Sequence, residues 1–514
     1  MNGAESLIRT LLAAGLDTCF TNPGTSEIHI VAALDRIPEM RCVLSLFEGV
    51  ATGAADGYAR MMEKPACTLL HLGPGLCNGL ANLHNASRAQ VPIVNLVGQH
   101  ATYHQELETP LASDIEGIAR PYSKWLRTSS AATDVGRDAA EAIVAARTPP
   151  GQISTLVIAA DAAWSEGGSS AAPPRIPQPS MPDTKAIEQA AVMLRSRLRT
   201  AILLAGDALY GTGLAAAGRI AAATGAQLFA PYPVTRIERG AGLPPVERIA
   251  YVLEQGAEQF KEFRQMILAG APAPIAYFAY PGKNSAFLPA ECDVHTLAEA
   301  NEDRTGALLS LAEALSVRGQ QALAEQAPRP ALSDGELSLG GIASTVGALL
   351  PENVIVVDES MTSGRGLMAA TKGAPPHDWL GNTGGSIGIA MPLAVGAAVA
   401  CPGRQVLCLT ADGSGMYTPQ ALWTMAREGL NVTTVVFANR SYAVLKREFS
   451  YLGIGEPGER AAQMFDIGGP DIDWVQLGKS MGVPAARVTS LGEFAKALRD
   501  GFSAKGPTLI EIPL

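Results

Sequence analysis

The sequence predicts an α/β protein made of three doubly wound domains with parallel sheets. Three observations lead there. Short apolar runs that stop abruptly at polar residues alternate with amphipathic stretches along the chain. Two breaker-rich stretches, Trp164–Asp183 and Gln326–Gly335, divide it into segments of about 1–165, 184–325 and 336–514. The composition is rich in Ala and Gly and only 5% aromatic, which suits many crossovers with close helix–sheet packing.

Length and charge narrow the class. A chain of 514 residues has room for about three domains at the usual 100–200 residues each. The net charge of -10 argues against nucleic acid and against anionic membrane surfaces as partners. The seven cysteines are odd in number and lack CxxC or zinc spacing, so they are expected as reduced thiols in a cytoplasmic protein. Met1–Arg9 shows no basic region followed by a long apolar run, and no secretory signal or membrane span is expected.

In the first segment, Thr68–His71, Ile93–Gly98 and Thr155–Ile158 read as buried strands. The run Cys42–Phe47 ends at Glu48, which opens a helix of small residues through Arg60. A carboxylate there lies at a strand end beside a helix N-terminus, partly buried. Helix-dipole stabilisation alone would also place a Glu at this point. Two loops carry further candidates, Asn22-Pro23-Gly24-Thr25 and Leu70-His71-Leu72-Gly73-Pro74-Gly75. Either polar residue could serve only the loop itself, Thr25 as a turn hydroxyl and His71 as a capping ring.

In the middle segment, Thr200–Asp207 is strand-like and runs into Gly206–Gly213. That run is not GxGxxG, and no acidic residue follows at a convincing ribose position, so it does not make a dinucleotide fingerprint.

The last segment is the most informative. Leu407–Ala411 is an apolar run that stops at Asp412-Gly413-Ser414, and Val435–Ala438 is another that stops at Asn439-Arg440-Ser441-Tyr442. Between them Tyr417–Gly429 has a helical pattern, with a stop at Gly429. A strand–helix–strand unit brings both strand ends to one sheet edge, so Asp412 and Asn439 converge. A carboxylate and an amide oxygen are hard ligands that suit Mg²⁺, best when a phosphate supplies the rest. A plain crossover with a turn Asp and an Asn cap has the same pattern.

Asp412-Gly413-Ser414, with Asn439 following 27 residues after Asp412, resembles the diphosphate-anchoring motif of thiamine diphosphate (ThDP) enzymes. The resemblance makes Asp412, Asn439 and the Ser441 carbonyl the expected Mg²⁺ ligands, with Thr362, Gly413, Ser414 and Tyr442 around the cofactor. The usual Gly-Asp-Gly is Ala411-Asp412-Gly413 here and the usual Asn-Asn is Ala438-Asn439, but both ligand positions are kept. Leu46–Arg60 resembles the pyrimidine-binding domain of the same family, in which one Glu in Glu48's setting activates the cofactor. A partly buried carboxyl can share its proton with a ring nitrogen and thereby turn the cofactor's amino group into a base. Asn382–Pro392 resembles the segment that touches the aminopyrimidine, which assigns Gly385 the main-chain acceptor and Ile387 the apolar prop for the bent cofactor.

Together these matches cover nearly the whole chain, in the family's order of pyrimidine, middle and diphosphate domains. They imply a ThDP-dependent lyase or transferase acting on 2-oxo acids, with active sites between subunits of a homodimer or homotetramer. The Asn-Pro-Gly-Thr loop is similar to the Asn-Pro-Gly-Ser loop of benzoylformate decarboxylases. Thr25 then stands at the substrate-binding hydroxyl and His71 at a proton-relay histidine. Gln99 and His100 are expected to line the pocket, with Val444 and Leu445 on its far wall. Those decarboxylases bring a second histidine from the middle domain. Tyr277–Lys283 has none, so either the proton relay is incomplete or Tyr280 or Lys283 serves in that place. Gly73-Pro74-Gly75 is more like acetolactate synthases.

FAD is not expected, because the middle domain is compact and no C-terminal extension of the synthase type follows. The leading expectation is a decarboxylase or carboligase without FAD. The alternatives are an acetolactate synthase catalytic subunit, a flavin-dependent oxidase of the pyruvate oxidase type, or a catalytically silent binding homologue.

Overall fold

The structure is a computed structural model that describes residues 1–514. The first segment supplies β1 (Thr18–Asn22), β2 (Arg41–Leu44), β3 (Ala66–Leu70), β4 (Ile93–Gln99), β5 (Trp125–Ser129) and β6 (Ile153–Ala159). They form one sheet in the order β2-β1-β3-β4-β6-β5, parallel throughout. β3 and β6 are buried along their whole length, as strands covered by helices on both faces must be.

The middle segment supplies β7 (Thr200–Leu204), β8 (Gln227–Ala230), β9 (Arg236–Arg239), β10 (Val246–Arg248), β11 (Gln265–Ala269) and β12 (Asp293–Ala298). Five of these pair in parallel as β10-β8-β7-β11-β12. The last segment supplies β13 (Ile355–Glu359), β14 (His377–Gly381), β15 (Val406–Ala411), β16 (Val432–Ala438), β17 (Ala485–Arg487) and β18 (Thr508–Pro513). The third sheet runs β17-β18-β16-β15-β13-β14-β9. Its outer strand β9 comes from the middle segment and pairs antiparallel with β14, Arg239 opposite His377 and Arg236 opposite Leu380. The pattern of breakers at 326–335 gave no sign of that exchange.

The first and last segments meet through two helices, Glu48–Met62 and Ala390–Ala400. Both are built of small residues because their backbones nearly touch. A Cβ on Gly57 or Gly396 would overlap the carbonyl of Leu393 or Ala54 across the contact. The Gly- and Ala-rich run through 390–400 is therefore apolar on all sides because it is buried on all sides. No helix is long and apolar enough to cross a membrane. The helix expected over Tyr417–Gly429 starts later, at Gln420, since Pro419 takes the N-cap. It stops at Gly429, whose φ of 61° is the left-handed conformation that glycine tolerates at a helix end.

Candidate active site

Three strand ends of the first sheet assemble one half of the site. β1, β3 and β4 are neighbours, and their C-terminal ends deliver Asn22–Thr25, His71, and Gln99 with His100. His71 is the N-cap of the helix Leu72–Arg88, because β3 already ends at Leu70. Glu48 opens the helix Glu48–Met62 as expected, is 7% exposed, and accepts a 3.0 Å hydrogen bond from Asn78 Nδ2. Glu48 and His71 flank Gly75: a Cβ there would lie 3.1 Å from Glu48 Oε1 and 3.2 Å from His71 Cβ.

His71 Nδ1 is 2.8 Å from Glu27 Oε2, which also accepts the Gly24 N–H at 2.9 Å. Glu27 is fully buried and its Oε1 has no partner. Burial pushes this carboxyl above its ordinary value, against the pull of His71. Glu27 lies two residues past the Asn22–Thr25 loop and gave no functional signal in sequence; an acid three residues after Gly24 that reaches back to its N–H is the sign to look for. His100 pairs with Thr109 at 3.0 Å, and burial, with His104 and His71 nearby, pulls it below its ordinary value.

The other half lies on the third sheet. β15 and β16 are adjacent and parallel, with Ala411 opposite Phe437, so Asp412 and Asn439 emerge side by side. Asp412 accepts N–H bonds from Gly413 at 2.8 Å and Arg440 at 2.7 Å. Arg440 takes a left-handed φ of 54° to aim its N–H there. Asn439 Oδ1 accepts the Ser441 N–H at 3.0 Å, and its Nδ2 reaches Ser363 Oγ at 3.4 Å. Ser363 is one residue past Thr362, in the turn after β13, and sequence reasoning missed it. The Tyr442 ring lies against Gly413, where a Cβ would come within 2.6 Å of it, and Ser414 is buried beside them.

Asp412 forms no ion pair, is 3% exposed, and is pushed up by burial. A buried carboxylate beside an amide oxygen at two adjacent strand ends offers hard-oxygen donors of the kind that fit Mg²⁺ on a diphosphate.

The segment carrying Gly385 and Ile387 is held from two sides. Glu359, at the end of β13, accepts from Asn382 Nδ2 at 3.0 Å, Gly388 N at 3.1 Å and Ala390 N at 3.1 Å. Burial lifts this carboxyl to about 7, while those N–H donors pull it down. From the first segment, Asn85 donates to Ser386 O at 2.8 Å and accepts from Ser386 N at 3.1 Å, and His84 Nε2 meets Gly384 O at 3.0 Å. Gly385 sits at φ 78°, with Tyr277 Oη against it.

Val444 and Leu445 begin the helix Ala443–Tyr451, half-buried and exposed respectively. Tyr280 does not reach His71's group; its hydroxyl donates to Glu448 on that same helix at 3.0 Å. Lys283 is paired with Glu254. A cleft of about 880 Å³ opens at the strand ends of the middle sheet. Arg304 lies across the Gly206 and Gly270 turns that follow β7 and β11.

Residues 1–118 match the N-terminal TPP binding domain of thiamine pyrophosphate enzymes, and residues 364–512 match the C-terminal TPP binding domain. The chain is 52% identical over 513 residues to a Mycobacterium tuberculosis protein provisionally named acetolactate synthase large subunit IlvX, covering 100% of this chain and 99% of that one. It is 28% identical over 525 residues to benzoylformate decarboxylase of Pseudomonas aeruginosa, covering 97% and 96%. The fold is similar to that of the ThDP-dependent 4-hydroxybenzoylformate decarboxylase of Rhodococcus jostii RHA1, with a TM-score of 0.86 at 23% identity over 99% of this chain and 98% of that one.

Proposed function

Because the chain belongs to the thiamine pyrophosphate enzymes, we propose that it is a ThDP- and Mg²⁺-dependent 2-oxo acid decarboxylase or carboligase of the benzoylformate decarboxylase type, working without FAD. The observation that carries this reading is the convergence of Glu48 and His71 on Gly75 at one sheet edge. When bound, ThDP supplies the thiazolium electron sink that lets a 2-oxo acid lose CO₂. Glu48 holds a proton against the pyrimidine ring, and Asn78 fixes its carboxylate. His71, backed by Glu27, moves a proton at the edge where Thr25 binds the substrate carboxylate. Asp412, Asn439 and the Ser441 carbonyl hold Mg²⁺; Thr362, Gly413, Ser414 and Tyr442 surround the diphosphate; Gly385 and Ile387 meet the aminopyrimidine. Gln99, His100, Val444 and Leu445 shape the pocket.

The active sites lie between subunits of a cytoplasmic homodimer or homotetramer. The helix Leu72–Arg88 supports this. His71 caps its first turn, while Asn85, near its last, holds Ser386. Fourteen residues of helix separate them by about 20 Å. One chain's His71 and its own Gly385 segment therefore serve different cofactors, and Glu48 faces Asp412 of a second copy.

A second reading, condensation of two 2-oxo acids, is favoured by the name of the 52%-identical relative. One experiment tests both. ThDP with Mg²⁺ is titrated calorimetrically into apo-protein, and CO₂ release is followed from pyruvate, 2-oxobutyrate, phenylpyruvate and benzoylformate. Metal-dependent binding with CO₂ release is expected, and an aldehyde or a hydroxyketone product chooses between the readings. Binding without CO₂ from any of the four overturns the substrate class. A yellow protein overturns the exclusion of FAD.

A further inference from the structure

The helix Ala443–Tyr451 has no fully buried residue. Most helices of a folded domain are held by an apolar face; this one is not. Its attachment to the middle module is polar and aromatic. Glu448 accepts a hydrogen bond on each carboxylate oxygen, from Tyr251 Oη at 3.2 Å and from Tyr280 Oη at 3.0 Å. The Tyr280 ring meets the Tyr451 ring edge-on with centroids 6.3 Å apart. Tyr251 in turn packs against Tyr232 and Tyr277, at 5.5 and 5.6 Å. Tyr280 itself is 8% exposed. Phenol donors to a carboxylate are charge-assisted and stronger than neutral pairs.

Burial and the adjacent carboxylate push the Tyr280 phenol up to about 12, so it stays a donor across the working pH range. It is poorly suited to the proton relay considered for it. Glu448 is one helical turn beyond Val444 and Leu445, on the same short helix.

We propose that Glu448 is a positioning residue for substrate selection: clamped between the Tyr251 and Tyr280 hydroxyls, it fixes the helix bearing Val444 and Leu445 against the middle module, and thereby sets the wall that sorts the 2-oxo acid side chain. The selection half of this statement rests on Val444 and Leu445 being that wall. The clamp stands on its own geometry. Loss of both phenol donors would leave the helix attached mainly by Tyr280–Tyr451 and Phe449–Phe465 ring contacts. The wall would then open and close locally while the sheets stay folded.

The test uses protein loaded with ThDP and Mg²⁺. Wild type, Tyr251→Phe, Tyr280→Phe, the double Phe variant and Glu448→Gln are exposed to trypsin, and cleavage after Lys446 and Arg447 is followed by mass spectrometry. The double variant should be cut about tenfold faster than wild type, with an unchanged melting temperature, and Glu448→Gln should fall between, since its amide keeps one acceptor. In the same variants the ratio of kcat/KM for benzoylformate to that for pyruvate should change about tenfold, mainly through KM. Cleavage rates equal to wild type would overturn the clamp. Faster cleavage with an unchanged substrate ratio would overturn the selection role and the wall assignment together. Absence of CO₂ release by wild type would instead mark the failure of the functional reading, and the cleavage rates would still decide the clamp. Each Phe variant removes a single oxygen, so a folding failure of one leaves the other to report.

Discussion

His71 Nδ1 lies 2.8 Å from Glu27 Oε2, and the other oxygen of that buried carboxylate has no partner. An acid in this position fixes the ring's tautomer and orientation, so that Nε2 is the nitrogen left to face the cleft.

Glu27→Gln should keep the fold, lower kcat about 10–100-fold and move the pH dependence of kcat/KM. Glu27 is raised by burial, so its neutral form is the one that stabilises. That contribution is complete below the ordinary carboxylate value and is lost as pH rises through the folded value. In catalysis the ionised carboxylate is the form that accepts from His71 Nδ1, so activity should fall as pH drops through the raised Glu27 value, an acid-side ionisation that the variant lacks. Superimposable profiles would rule the role out.

Glu48→Gln should leave ThDP binding intact and reduce turnover by about 10²–10⁴-fold. Calorimetry and CO₂ release measure the two separately. Near-wild-type turnover would remove Glu48 from the catalytic set.

Asp412→Ala should abolish metal-dependent retention of ThDP, because it deletes the one buried carboxylate at the ends of β15 and β16. Unchanged affinity in the titration would mean that Mg²⁺ is held elsewhere.

Mixing those two inactive variants offers a check on the shared site. A mixed dimer has one site with both Glu48 and Asp412 intact and one with neither. Random exchange should restore about a quarter of wild-type activity. No recovery after verified subunit exchange would place both residues in a site made by one chain.

Glu359 predicts a pH effect on stability. Burial lifts it from 4.5 to about 7, so its stabilising neutral form is fully present below 4.5 and is lost as pH rises through about 7. The loss amounts to about 3 kcal/mol as an upper bound. Denaturant titrations of wild type and Glu359→Gln at pH 4.5 and pH 8 should show the wild type losing more stability across the window. Parallel losses would contradict the shifted carboxyl.

Much of this was legible in sequence because strand ends announce themselves. Apolar runs broken by Asp412, Asn439 and His71 located the polar ends of buried parallel strands, and parallel pairing then places such ends on common edges. The run before Glu48 instead forms the half-exposed edge strand β2, which stops at Leu44, so only the helix start at Glu48 was legible there. Glu359 was not legible, since a Glu after Val357-Asp358 resembles any strand exit until Gly388, Ala390 and Asn382 are seen to converge on it. Glu448 was hidden for a different reason. Its partners Tyr251 and Tyr280 are 197 and 168 residues away, and no periodicity encodes contacts at that range. The destination of β9 was hidden likewise, because edge pairing is decided by the tertiary arrangement rather than by the four residues Arg236–Arg239.

The antiparallel pairing of β9 with β14 makes the middle and last segments inseparable by simple excision. A fragment beginning near residue 336 would lose β9 and leave β14 with a bare row of N–H and C=O groups along Trp379 and Leu380, both buried in the whole chain. Such an edge invites pairing with any strand at hand, including its own copy. A fragment of the middle segment alone would carry β9 as a strand with no sheet to join. Recombination among relatives that cuts at the 326–335 breakers would mismatch the pair, whereas joints outside 236–381 would carry both strands over together.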